Sequence, residues 1–388
     1  MPFRETHIVE QRIYFVIEAE QHTRSFKQLC RDYGISRQTG YMWLRRWQEE
    51  GSVVALQDRS RRPKTISNQT DPSIVARVIE LRKQHGWGAK KLYVLLLQEG
   101  VTVSISTINR ILKREGLLRR RDAHQPAEKR FEREHPNDLW QIDFKGWFRI
   151  ADGKCYPLSI IDDHSRFAVA LAPQISIAAQ PTYEVIVKAM KKYGVPVAML
   201  MDHGTPWWST NSNIGITWPI VQIMKQGVRI YHSGYRHPQT QGKVEAFHRT
   251  IGRDFEHRGG VPGTLDEAVI YFADFVATYN NIRPHEGIGM VCPATRYQPS
   301  TKAYDPDPPP YAYPVEYAQV RVDTEGSIAY KGRRHFVAKP FATEIVGVID
   351  VLGKRLVRYR DIWVREVYLD TGKTRGFSKP VHDDKYLH

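Results

Sequence analysis

Three acidic residues stand where a charge needs a reason. Asp143 falls in the middle of the strand-like run LWQIDFKG, where a carboxylate among apolar neighbours requires a partner. Asp202 ends the buried-strand pattern VAMLMD, and the carboxyl end of a strand is where α/β sheets place their ligands. Glu245 lies near the start of a helix, after the glycine-containing loop SGYRHPQTQG. Each alone has an ordinary explanation: Asp143 paired with a buried base, Asp202 capping the next turn, Glu245 in an exposed ion pair with Arg249 one turn on. Together at one point, three carboxylates would repel one another unless a cation lay between them. Hard oxygen donors favour Mg²⁺ or Mn²⁺ over zinc.

The elements that must position these acids occupy residues 137–303. LWQIDFKGWFRI, YPLSIIDDHS and RFAVALAP read as consecutive strands, with Asp152-Gly153 and Asp163-His164-Ser165 as turns. A helix (PTYEVIVKAMKKYG), the strand ending at Asp202, a helix near 218–226 and the short strand VRIYH follow. Helices from about Lys243 to Phe255 and over LDEAVIYFADFVATYNN complete the region. Strands first and interleaved helices later predict an α/β layer with helices on both faces of a mixed sheet.

Ahead of this core the chain is helical and basic. Residues 1–130 carry 25 Lys and Arg against 14 Asp and Glu, so most of the net charge of +15 sits there, which favours a polyanionic partner. In residues 1–64, Ser36 is the expected N-cap of SRQTGYMWLRRWQEE and Gly51 its stop. Helical spacing puts Gly40, Trp43, Leu44 and Trp47 on one face and Arg37, Gln38, Tyr41 and Arg45 on the other, the pattern of a helix-turn-helix with a basic, hydrogen-bonding outer face. Residues 65–121 repeat the theme. Helices start at Asp71-Pro72 and in GAKKLYVLLLQEG, and Ser104 caps a third, with Ile105, Ile108, Ile111 and Leu112 inward and Ser106, Thr107 and Arg110 outward. A helical bundle that binds protein is the plain alternative for either unit. Residues 122–136, ending at His135-Pro136, read as a linker.

Behind the core, the proline-rich segment 304–314 is expected to act as an extended spacer. Residues 315–372 alternate like a small β-barrel and 373–388 form a polar tail. The barrel's Lys331, Arg333, Arg334, Lys354, Arg355 and Arg358 are expected to face DNA or another subunit, with the spacer holding them apart from the core. Cys30, Cys155 and Cys292 form no pair of metal-ligand or disulfide spacing. No apolar run approaches a membrane span and the first residues lack a secretory signal, so a soluble, cytoplasmic, nucleoid-associated protein is expected.

LWQIDFKG, IIDDHSRF, MDHG, HPQTQGKVEAFHRT and YNNIRPHEGIG with CPATRY resemble, in that order, the catalytic core of insertion-sequence transposases of the retroviral-integrase (DDE) superfamily. The resemblance extends to the two helix-turn-helix units and the terminal barrel. It implies a multidomain chain with an RNase H-like core in which Asp143, Asp202 and Glu245 are catalytic and bind two Mg²⁺ (or Mn²⁺), and a homo-oligomer on paired DNA ends. Whether an ATPase assists is not disclosed. Such a site would hydrolyse double-stranded DNA at the element ends and join the 3′-hydroxyls to target DNA. His237 and Lys243 read as phosphate contacts. Two departures stand out: His203 replaces the family's usual Asn, and the stretch from Asp202 to Glu245 is several residues longer than usual, the excess falling in PWWSTNSNIGITWP. There Trp207, Trp208 and Trp218 either stack on an unpaired base or, as the more ordinary case, pack on the core. Ser165 lies in a turn with no evident base, Tyr279 lacks the Arg and His cluster of a tyrosine recombinase, and the histidines lack metal-ligand spacing. Two rivals remain: a transposase-derived regulator that binds without cutting, and a metal-dependent nuclease that cuts without joining.

Overall fold

The computed structural model describes residues 8–59, 69–118, 132–209, 214–232 and 242–377. The chain divides at Thr70/Asp71 into two compact units.

In the first unit, α1 (Ile8–Glu20), α2 (Phe26–Asp32) and α3 (Arg37–Glu50) enclose Phe15, Leu29, Cys30, Trp43 and Leu56. The Ser25 and Ser36 hydroxyls accept from the backbone N–H groups of Gln28 and Thr39, starting α2 and α3, and Gly51 closes α3 in the left-handed conformation. Gly40 permits the close approach of these helices. A Cβ there would meet Cys30 Sγ at 2.7 Å and the Phe15 ring at 2.9 Å. The opposite face of α3 leaves Arg37, Gln38, Tyr41 and Arg45 exposed, as their spacing predicts.

The second unit begins with α4 (Pro72–His85), α5 (Ala89–Gln98) and α6 (Ile105–Arg114), closed around Val78, Leu92, Leu96, Ile108, Ile111 and Leu112. Ile105 departs from the expected apolar stripe. It is the first residue of α6, ahead of the turn that packs inward, and is 37 % exposed. Ser106 and Arg110 are exposed, whereas Thr107 is half-buried with its hydroxyl 2.9 Å from that of the capping Ser104.

The core sheet is mixed. β1 (Trp140–Phe144) pairs antiparallel with one edge of β3 (Gly153–Asp162), β4 (Ala168–Gln174) pairs antiparallel with the other, and short β2 (Phe148–Ile150) pairs with the start of β3. β5 (Ala198–Met201) and β6 (Arg229–His232) continue parallel beyond β1. One face carries Trp140, Ile142, Leu158 and Ile160 under α7 (Ala179–Tyr193) and α8 (Trp218–Lys225). The other carries Cys155, Ile161, Ala168 and Leu171 under α9 (Gly242–His257) and α10 (Leu265–Asn281).

Three expectations change. The end of the linker is docked: Glu132 binds Arg166 and Arg296, and the Arg133 N–H donates to Asp163. Residues 304–314 have no regular structure, but they do not hold the terminal region away. The Gln226 amide exchanges hydrogen bonds with the Asp305 backbone, and buried Tyr313 donates to the Ile345 carbonyl and accepts from the Arg360 N–H. The extended backbone that proline imposes is thus pinned along its length by flanking polar and aromatic side chains. Lys225 of α8 also pairs with Glu344 at 3.2 Å, and buried residues of the two regions form one continuous apolar cluster.

The terminal region is not a closed barrel among the described residues. β7 (Ala318–Arg321), β10 (Ile345–Val351), β11 (Lys354–Tyr359), β12 (Ile362–Tyr368) and β13 (Thr374–Gly376) form an open antiparallel sheet in the order β13-β12-β11-β10-β7. β8 (Ser327–Tyr330) and β9 (Arg333–Phe336) form a separate hairpin. Most of its basic side chains are already engaged: Lys331 and Arg355 with Asp350, Arg334 with Asp323, Lys354 with Glu366, and Arg358 with the Arg360 carbonyl. A surface so neutralised offers DNA far less charge than the sequence count suggests.

Candidate active site

Strand alternation places Gln141 and Asp143 on the face of β1 turned toward α9, opposite Trp140, Ile142 and Phe144. β1 and β5 run parallel with Gln141 level with Leu200, so Asp143 and Asp202 leave the carboxyl ends of neighbouring strands. Behind Asp202 the chain turns at once. The Gly204 N–H donates to Asp202 Oδ1 at 3.0 Å, and a Cβ on Gly204 would approach Oδ2 at 2.8 Å, so a side chain there would push the carboxylate aside. The His232 ring nitrogen Nδ1 lies 3.1 Å from the Asp202 carbonyl oxygen.

Glu245 arrives on the first turn of α9, and that turn is anchored. Gln141 Nε2 donates to Asp163 Oδ1 at 2.8 Å, while Gln141 Oε1 accepts the Val244 N–H at 3.3 Å. Lys243 Nζ lies 2.5 Å from Asp163 Oδ2, a carboxylate that is fully buried. Lys243 therefore turns inward to Asp163 rather than outward to a phosphate, and burial pulls its ammonium down to about 8 against the opposing pull of Asp163. Gln141, Asp163 and Lys243 together hold the first turn of α9, which carries Glu245. Sequence reasoning missed the first two, although the two-residue spacing of Gln141 and Asp143 already put both on one face. His237 lies outside the described residues.

The acids feel one another. Burial pushes the Asp143 carboxyl up to about 7, Asp202 adds to this and Glu245 adds less, while the Phe144 N–H opposes them. His248, one turn beyond Glu245, offers no counter-charge. Its Nδ1 stands 3.8 Å from Asp143 and its Nε2 3.0 Å from Ser159 Oγ, and burial, followed by Lys145, holds the imidazole neutral with its pKa down at about 3. Among the described residues no three His, Cys, Asp or Glu side chains close into a metal cage. Carboxylate oxygens around an Asp143 that burial and the nearby acids destabilise, with no neighbouring base to neutralise it, are chemically suited to a hard divalent cation.

This electrostatics has a measurable sign. A free Asp titrates near 3.9, so between about pH 4 and pH 7 the folded chain holds a proton that the unfolded chain has released. Asp143 therefore costs stability as pH rises through that window, and the cost is complete above pH 7. In EDTA, Asp143→Asn is expected to be more stable than the parent at pH 8, by an amount on the order of a few kcal/mol, and so to melt higher there, and to melt level with it near pH 4. Equal melting at both pH values would mean that Asp143 is not destabilised by its surroundings.

The inserted tryptophans divide. Trp207 is buried within the core, near Phe144, and Trp218 meets the edge of Tyr183. Trp208 packs edge-on to both His203 and His232, at 4.8 and 5.1 Å between ring centres, so His203 is part of an aromatic cluster beside Asp202.

Residues 133–238 and 226–293 match the integrase core domain, residues 11–64 a helix-turn-helix domain and residues 39–112 a homeodomain-like domain. The insertion element IS476 uncharacterized 39.2 kDa protein of Xanthomonas euvesicatoria is 26% identical over 231 residues, covering 57% of this chain and 64% of the relative, so the match spans a little under two thirds of its length. The insertion element IS407 uncharacterized 31.7 kDa protein of Burkholderia multivorans is 25% identical over 237 residues, 57% of this chain and 79% of the relative. Among solved structures, the simian T-cell lymphotropic virus intasome in complex with PP2A regulatory subunit B56 gamma aligns at 13% identity over 74% of this chain and 95% of that one, with a TM-score of 0.38. The HTLV-2 integrase catalytic core domain in complex with magnesium aligns at 18% identity over 42% of this chain and 97% of that one, with a TM-score of 0.31. The chain thus carries helix-turn-helix segments ahead of an integrase core domain and is similar to proteins of bacterial insertion elements.

Proposed function

We propose that the protein is a transposase that binds the ends of its mobile element, cleaves there and joins the freed 3′-hydroxyls to target DNA. The observation that carries this reading is the pairing of Asp143 and Asp202 at adjacent parallel strand ends, with Glu245 brought to them on an anchored helix. Two Mg²⁺ (or Mn²⁺) held by these acids would supply activation of a water or 3′-hydroxyl and stabilisation of the leaving oxygen, in line across the phosphodiester. The chain's own residues do the remainder. Gln141 and Asp163 fix the entry of α9, Gly204 leaves room for the Asp202 carboxylate and holds it through its N–H, and neutral His248 adds no positive charge to compete beside Asp143. No protein nucleophile is needed, so one site serves both hydrolysis and joining.

Purified protein with Mg²⁺ and labelled element-end DNA should yield joined products. Nicked ends without joined products would favour the nuclease, and bound but uncut ends the regulator. Two ends must be held together for joining, so the working form is a homo-oligomer on paired duplex ends.

End recognition falls to the exposed faces of α3 (Arg37, Gln38, Tyr41, Arg45) and α6 (Ser106, Arg110, with Thr107 nearer the cap). A bidentate contact of Arg to guanine is worth roughly 1 to 3 kcal/mol of discrimination. Arg37→Ala or Arg110→Ala should therefore relax sequence preference more than it weakens binding to unrelated DNA. If competition assays show both falling equally, these arginines contact phosphates instead.

A further inference from the structure

Between the second helical unit and the core lies a cleft of about 1560 Å³, lined by α5, α9 and the end of α10 and reaching His248 beside Asp143. Its charges are poorly balanced. Arg283, just past α10, stands with its guanidinium 5.4 Å from the Tyr279 ring, and its buried Nε has no hydrogen-bond partner among the described residues. Arg253, exposed on α9 two turns beyond Glu245, pairs with no carboxylate among the described residues. Lys91, with only 13% of its side chain exposed, meets Glu286 at 2.9 Å, but the same carboxylate also serves Lys90 at 3.5 Å.

The three cations crowd one another. Burial lowers the pKa of Lys91, Arg283 lowers it further against the pull of Glu286, and Arg253 adds to the lowering. Burial likewise lowers the pKa of Arg283, and Arg253 works in the same direction against Tyr279 and Glu286. A cation with a buried, unpaired N–H is costly until an anion reaches it.

We propose that Lys91, Arg253 and Arg283 form a phosphate clamp that grips the backbone of DNA between the second helix-turn-helix unit and the catalytic core. The occupant is a phosphodiester strand because of what borders the cleft: on one side the unit whose α6 exposes Ser106 and Arg110, on the other the helix that carries Glu245. A strand held there runs along α9, where the rise from Glu245 to Arg253 is about 12 Å, from the clamp toward the acids. The clamp rests on the transposase reading above and adds a device that places a bound end over the site.

The test uses the full chain in EDTA and a labelled mixed-sequence 40-base-pair duplex, with affinity read by fluorescence anisotropy from 50 to 200 mM KCl. Each lost phosphate contact should flatten the slope of log K against log salt by about 0.9, equivalent to about threefold over that range. Arg253→Gln and Arg283→Gln should each flatten it by that amount and the double variant by about twice as much. Arg258→Gln, whose guanidinium is held by Asp254 and Asp274, should leave it unchanged. Without DNA, Arg283→Gln should melt no lower than the parent, since it removes an unpaired buried donor. If that variant fails to fold, exposed Arg253→Gln carries the test alone.

Unchanged slopes in the folded variants overturn the clamp. So does a parent stabilised by 10 mM inorganic phosphate when the double variant is not, with slopes equal, because that assigns the site to free phosphate. These readings need no metal, so they leave the strand-transfer assignment untouched; joining by Glu245→Gln would overturn that assignment whatever the slopes.

Discussion

Glu245→Gln is expected to abolish Mg²⁺-dependent cleavage and joining while leaving binding to element ends intact. The amide keeps the shape of the side chain but removes the charge that a hard cation requires, and α9 stays anchored through Val244 and Lys243 rather than through Glu245 itself. Losing a mere supporting partner of a metal ligand typically costs 10- to 100-fold, so loss of a ligand should exceed about 100-fold. End-labelled DNA on a denaturing gel measures it, with binding measured separately in EDTA. Substantial activity in the variant would remove Glu245 from the site and with it the metal-dependent reading.

A chain ended at residue 303 is expected to aggregate or to melt well below the full protein. The cut removes the Asp305 backbone from Gln226 and Glu344 from Lys225, and it uncovers the apolar side of α8, which contacts the turn Lys339–Phe341. Phe341 is fully buried and lies 4.8 Å from the Tyr359 ring. Loss of one such ring typically costs about 3 to 5 kcal/mol, and the truncation removes the whole packed face. Size-exclusion chromatography and thermal circular dichroism would decide. A monodisperse fragment that melts with the full chain would show the terminal sheet to be an independent attachment.

Local signals were legible and distant partners were not. Ser36, Gly51 and Ser104 announce helix ends because capping is decided within four residues, and the alternation of β1 places Asp143 on one face. Lys243 and Asp163 could not be joined from sequence, since nothing in either segment names a partner so far along the chain. The prolines of residues 304–314 exclude helix and strand, which is all that proline chemistry decides. Whether Tyr313 then swings free or buries itself against β10 depends on a surface formed elsewhere. The basic residues of the terminal sheet misled for the same reason: a count of lysines does not show Asp350 or Glu366 beside them.

The tie between Gln141 and Val244 joins residues 103 positions apart, and Asn280 closes on Ala168 across 112. Contacts of such span form late and slowly, since the loop between them must first be ordered. At a synthesis rate of roughly 5 to 20 residues per second, the strand bearing Asp143 waits on the order of ten seconds for α9 to emerge from the ribosome. The first unit, complete by Thr70, has no such dependence. A nascent chain can thus acquire its amino-terminal fold before Asp143, Asp202 and Glu245 are brought together, and premature termination anywhere before α9 leaves a product that lacks Glu245.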